Sequence, residues 1–191
     1  KKRNKMARTL LIDMDYIKDN SILDDNVDER LMVDALWTAQ REYIKPILGT
    51  NLFDDIITKA AAGTLAGNDL ILVNTYIAPC LLKYLVFEMT PILAYKYRNK
   101  GVVQQNSENS QVTSFDDLNH LLNRWRDKAE MFAEDIINYL VANHTLFPLY
   151  TSNSETDDIY PANSAFTGGL YLGNGKNRGT GFDYLRDCCN D

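Results

Sequence analysis

SFDDLNHLLNRWRDKAEMFAEDIINYLVAN, residues 114–143, decides the fold class. Leu118, Leu122, Trp125, Ala129, Phe132, Ile136 and Leu140 recur at steps of three and four. That spacing lays one apolar stripe along a helix. Arg124, Arg126, Asp127, Lys128, Glu130 and Glu134 fall between them and predict a solvated face. Ser114 with Asp117 three residues later reads as a capping box with Asp in place of Glu. Pro148 closes the region.

The same period continues toward the N-terminus. Met32, Leu36, Ala39, Tyr43 and Ile47 form a second stripe, widened by Val33, Trp37 and Ile44. Asp24, Asp25, Asp28 and Glu29 crowd its start, where acids suit the positive end of a helix dipole. A helix is predicted from about Asn26 to Tyr43, with Pro46 forcing a break or kink. After Gly49, Asn51 is a candidate cap for a helix reaching Ala62 and stopping at Gly63. Asn68 is the candidate cap of a third helix, from Asp69 to about Arg98, which Pro79 and Pro91 should kink or split. Residues 99–113 are polar and read as a long loop. The fold class expected is all-α, a four- to five-helix bundle spanning residues 10–150, after a basic leader over residues 1–9.

Beyond Tyr150 the composition changes to Gly, Asn, Ser and spaced aromatics. Residues 151–191 therefore read as an extended arm, with room for a short β-hairpin around Leu170, Tyr171 and Leu172 and around Phe182, Asp183 and Tyr184. A merely solvated tail has no need of so many aromatics. Tyr160, Phe166, Leu170, Tyr171, Leu172, Phe182 and Tyr184 are the candidate protein-interface residues. The arm docks either on another polypeptide or back on its own helices.

The 191 residues suffice for one domain and a tail, with 45% hydrophobic and 24% charged residues, as in ordinary globular chains. A net charge of −6 gives no general footprint for nucleic acid or an anionic membrane. Lys1, Lys2, Arg3, Lys5 and Arg8 are the local exception. The apolar run from Leu70 to Tyr95 contains Lys83, Glu88, Asn74 and two prolines, so a core or intersubunit helix is expected there rather than a membrane span. Leu10, Leu11 and Ile12 stop at Asp13, too short a run for a signal peptide. Cys80, Cys188 and Cys189 are odd in number, which argues against a closed disulfide framework.

Catalytic patterns are few. Gly168, Gly169, Gly173 and Gly175 do not sit between a strand and a helix as a phosphate loop requires. His120 and His144 fall about 36 Å apart on one helix at 1.5 Å per residue, too far to share a metal within one chain. The pairs Asp24 and Asp25, Asp54 and Asp55, and Asp116 and Asp117 open helices, where dipole and capping chemistry accounts for them. Asp157 and Asp158 sit in a polar loop. The sequence therefore predicts no catalytic, cofactor-binding or metal residues. A helical metal-dependent (pyrophospho)hydrolase built on Asp and Glu clusters is the alternative, but Glu88 is the only acid inside the third helix to answer Asp127 and Glu130. A helical protein-binding regulator is another alternative.

Residues 22–57, ILDDNVDERLMVDALWTAQREYIKPILGTNLFDDII, carry a likeness to a known family. The pattern Gln40, Tyr43, Pro46, Gly49, Leu52 and Phe53, behind a Leu-rich helix, resembles the head–tail connector (adaptor, or head-completion) proteins of tailed bacteriophages. It is most similar to versions carried by phages of gut Bacteroidetes. The resemblance implies a non-enzymatic structural protein of the virion neck, assembled in the host cytoplasm. It implies a homo-oligomeric ring of about twelve copies between portal and tail, extending the DNA channel. Implied partners are further copies, the portal protein and other neck or tail proteins. DNA would pass without specific binding, and neither a membrane nor a cofactor is involved.

Overall fold

The computed structural model describes residues 8–98, 101–104, 114–152 and 159–162. These are mostly helical. Helix α1 (Met14–Asn20) is capped by Asp13, whose carboxylate accepts the Tyr16 amide at 2.7 Å. Helix α2 (Glu29–Ala39) is capped by Asp28. It runs through a π-helical segment (Gln40–Ile44) into α3 (Lys45–Leu48). Helix α4 (Thr50–Ala62) ends at the left-handed Gly63. Helix α5 (Gly67–Ile71), a second π segment (Leu72–Ile77) and α6 (Ala78–Ala94) form one continuous rod. Helix α7 (Phe115–Ala142) is followed by a 3-10 turn (His144–Leu146) and a short α8 (Pro148–Thr151).

Two of the prolines lie within uninterrupted helix. Neither Pro46 nor Pro79 breaks its helix. Each follows a π segment, and in each the last π hydrogen bond is donated by the residue just before the proline: Lys45 to the Gln40 carbonyl, and Ala78 to the Val73 carbonyl. The ladder thus steps from five-residue back to four-residue spacing beside a residue that has no N–H to donate. The break falls at Gly49 instead. Pro91 lies in the last turn of α6, which stops at Ala94 rather than at Arg98. The chain then turns back, and Tyr95–Arg98 (β1), expected as the end of the third helix, pairs antiparallel with Gly101–Gln104 (β2) in what reads as loop.

Two capping expectations are also corrected. Gly49, not Asn51, stands at the cap of α4, and α5 begins at Gly67, so Asn68 lies inside it. Ser114 does cap α7: its hydroxyl oxygen accepts the Asp117 amide at 3.1 Å, while its O–H donates to the Asp117 carboxylate at 2.7 Å.

Helix α6 is the centre of the core. It packs against α7 on one side and α2 on the other. Cys80, Leu81, Leu85 and Met89 of α6 are fully enclosed, together with Leu36, Ile44, Leu48, Ile56, Ile136 and Leu140. By length and composition the rod Gly67–Ala94 is apolar enough to cross a membrane, yet 56% of its most apolar window is buried inside the protein. Burial on both flanks explains a continuous apolar run without a bilayer.

Candidate functional site

The six motif residues come together where both ends of the described body return to α2, α3 and α4. Gln40 lies in the first π segment and is one of two polar side chains among the described residues that are buried. Its carbonyl oxygen accepts the Leu11 amide at 2.7 Å, and its amide nitrogen donates to the Thr9 carbonyl at 3.2 Å. One amide side chain thus satisfies a donor and an acceptor of an extended segment, as burial of that backbone requires. Leu11 and Ile12 follow into the core.

Gly49 organises the other end. Its φ of 76° and ψ of 164° belong to a region that is nearly glycine-only. A Cβ here would stand 2.9 Å from the Pro161 ring and 3.1 Å from the Ile159 carbonyl oxygen. The absent side chain leaves room for residues 159–162. The Thr50 amide donates to the Ile159 carbonyl at 3.0 Å, and the Ile159 amide returns to the Thr50 hydroxyl at 2.9 Å. The Ala162 amide donates to the Pro46 carbonyl at 2.8 Å. Asn51 Nδ2 donates to the Ser152 carbonyl at 2.6 Å, which is the work it does in place of capping. The start of the arm therefore folds back on its own helices.

Tyr43 fixes this platform to α6. Its ring stacks on Tyr84 with centroids 4.0 Å apart and 1° between planes, and Phe87 meets it edge-on at 6.4 Å. Its hydroxyl donates to Glu88 at 2.6 Å. Burial first, then the Glu88 hydrogen bond and charge, push its phenol far above the ordinary value. Leu52 and Phe53 are buried in α4, each 2% exposed, and complete the platform's underside.

A pocket of about 520 Å³ opens beside it, lined by Arg8, Trp37, Gln40, Arg41, Phe53 and Ile57. The Arg8 and Arg41 guanidiniums lie over the Trp37 ring at 4.7 and 4.8 Å. Arg8 also pairs with Asp34. Among the described residues Arg41 meets no carboxylate. The four-residue spacing of Trp37 and Arg41 was legible in the sequence, but Arg8 comes from a distant segment that nothing local ties to them.

Glu130 corrects the reading of α7, since it is only 7% exposed rather than on the solvated face. It lies 3.7 Å from Arg126, and its charge adds to the burial that lifts the Tyr84 phenol. Cys80 is buried beside the Ala129 carbonyl, and burial pushes its thiol up. Of the candidate interface residues, Tyr160 lies in the latch formed by residues 159–162 and is 37% exposed. Phe166, Leu170, Tyr171, Leu172, Phe182 and Tyr184, and with them the hairpin, lie outside the described residues, as do Cys188 and Cys189. Among the described residues no three His, Cys, Asp or Glu side chains gather as a metal cluster.

These features define a helical protein whose motif residues hold residues 9–11 and 159–162 to one helical platform. Residues 44–159 match a family of unknown function, DUF6712, and the chain belongs to that family. The matched region begins at the end of the first π segment and ends on Ile159, so it includes Pro46, Gly49 and Thr50 with Ile159, the residue that exchanges two hydrogen bonds with Thr50. No curated protein and no solved structure matches the chain.

Proposed function

We propose that this chain is a structural subunit of a tailed-phage neck, a four- to five-helix bundle carrying an extended C-terminal arm. Copies close head to tail into a ring between portal and tail, about twelve by the family resemblance. Such a ring needs heterologous contacts whose rotation closes. It extends the DNA channel and offers the tail a platform. A charge of −6 per subunit, repeated around the channel, favours passage of DNA over capture.

One observation carries the reading. The motif residues Gln40, Pro46 and Gly49 hold residues 9–11 and 159–162 on the helical platform, Tyr43 fixes that platform to α6, and the arm continues from the tether. The body thereby presents a fixed exit point for a segment rich in aromatics. Exposed apolar side chains at Ile22, Phe115 and Met131, more than half exposed each, offer further contact surface.

The test is truncation on either side of the latch. A chain cut after Ala162 keeps residues 159–162 and is expected to retain the helical circular-dichroism signal while failing to form rings with its portal protein, read as mass in solution. A chain cut after Ser152 loses the latch too and melts at lower temperature. Ring formation by the first truncation at the full-length level would defeat the reading.

A further inference from the structure

The Arg8, Trp37 and Arg41 pocket is a cationic site on an acidic chain. Stacking on an indole holds a guanidinium flat while leaving its in-plane N–H donors directed outward, the geometry that takes a carboxylate in two hydrogen bonds. Asp34 answers Arg8, and no described carboxylate answers Arg41. Phe53 and Ile57 give the pocket an apolar floor. Its complement is a carboxylate flanked by apolar side chains.

The chain carries such a segment. Within residues 163–191 the acids are Asp183, Asp187 and Asp191, and only Asp183 lies between aromatics, in Phe182-Asp183-Tyr184-Leu185. The route is short. The Ala162 amide is bonded to the Pro46 carbonyl, and Arg41 precedes Pro46 by five residues, about 7 Å along a helix. The 21 residues from Ala162 to Asp183 span up to about 70 Å when extended, so reach is no obstacle. Attachment to the body next to the pocket raises the segment's effective concentration there without any added contact.

We propose that the pocket binds residues 182–185 of the same molecule in the free subunit, with the Asp183 carboxylate on Arg41 and the flanking aromatic rings on the apolar side of the pocket at Ile57. This rests on the pocket and the tail sequence, not on ring assembly.

Hydrogen–deuterium exchange of the full chain tests it without portal. In the wild type, amides of 182–185 are expected to exchange at least about tenfold more slowly than in Asp183→Asn, a change that leaves the body untouched. Arg41→Glu should abolish the protection, and Arg41→Glu with Asp183→Arg should restore it. Unprotected 182–185 in the wild type, or no rescue by the charge exchange, would overturn the proposal. So would protection that vanishes on dilution, which would assign the occupant to a second copy. Protection of residues 37–41 by an added DNA duplex, with 182–185 unprotected, would assign the pocket to DNA and overturn it equally. A chain that shows the protection yet forms no ring with portal would sink the neck reading and leave this one standing.

Discussion

The N-terminal segment and the C-terminal latch reach the same helical platform by opposite means. At Gln40 a side chain reaches out and substitutes for a missing backbone partner, accepting from Leu11 and donating to Thr9. At Gly49 a side chain is withheld, and the incoming residues bond to backbone and to Thr50. The first tether is buried and depends on hydrogen-bond chemistry. The second is partly exposed, Ile159 at 43%, and depends on space and on a backbone angle. A buried amide tolerates no apolar replacement, whereas a glycine cradle tolerates no added carbon.

Gly49→Ala is expected to be the sharpest break in this comparison. The backbone conformation alone costs an alanine about 1–3 kcal/mol. The added methyl also meets Pro161 at 2.9 Å and must displace the latch. A total loss of about 4–6 kcal/mol is expected from strain plus the three latch bonds, at roughly 1 kcal/mol per hydrogen bond. Gly63→Ala is the control. Gly63 also has positive φ, 67°, but nothing lies within 4 Å of its Cβ position. Its cost should stay near 1–2 kcal/mol, the left-handed penalty alone. Equal losses in urea denaturation of the two variants would show that the latch contributes nothing. Residues 159–162 should also exchange their amides faster in Gly49→Ala and not in Gly63→Ala.

Gln40→Leu attacks the other tether and should cost about 2–3 kcal/mol, because the Leu11 N–H is left buried without a partner. Exchange should quicken at residues 9–12 and stay unchanged at 159–162. A loss shared by both ends would mean that the platform moves as one unit and that the two tethers are not separate devices.

How much of this was legible follows the same division. The stripes on α2 and α7 and the Ser114 cap are local, and the sequence shows them. The role of Gly49 is half local: the turn could be read, but its crowding by Pro161 comes from 112 positions away. Pro46 and Pro79 were expected to break or kink their helices because the rule for proline assumes the four-residue ladder. One π turn before each supplies a register in which the missing N–H matters less. Glu130 was placed on the solvated face because helical phase alone does not reveal that α6 covers that flank. Gln40 stood out as a motif residue, but its partners are backbone atoms of a segment about 30 residues away, which carry no side-chain signature.

Tyr43→Phe probes the platform beneath both tethers and should have the smallest effect near neutral pH. Ring stacking on Tyr84 is kept and only the hydrogen bond to Glu88 is lost, so about 1 kcal/mol is expected. The alkaline limb is more informative. Burial raises the phenols of Tyr43, Tyr84 and Tyr150, the last to about 12, and raises the Cys80 thiol. In the unfolded chain these groups lose their protons from about pH 9 for the thiol and about pH 10 for the phenols, while the folded chain keeps them. The unfolded state then binds fewer protons, so stability is full below pH 9 and falls as pH rises through 10 and beyond. Urea midpoints at pH 8 and pH 10.5 should show this fall in the wild type, and a smaller fall in Tyr43→Phe. Parallel pH dependence in the two proteins would place the Tyr43 phenol in water and remove the link between the platform and α6.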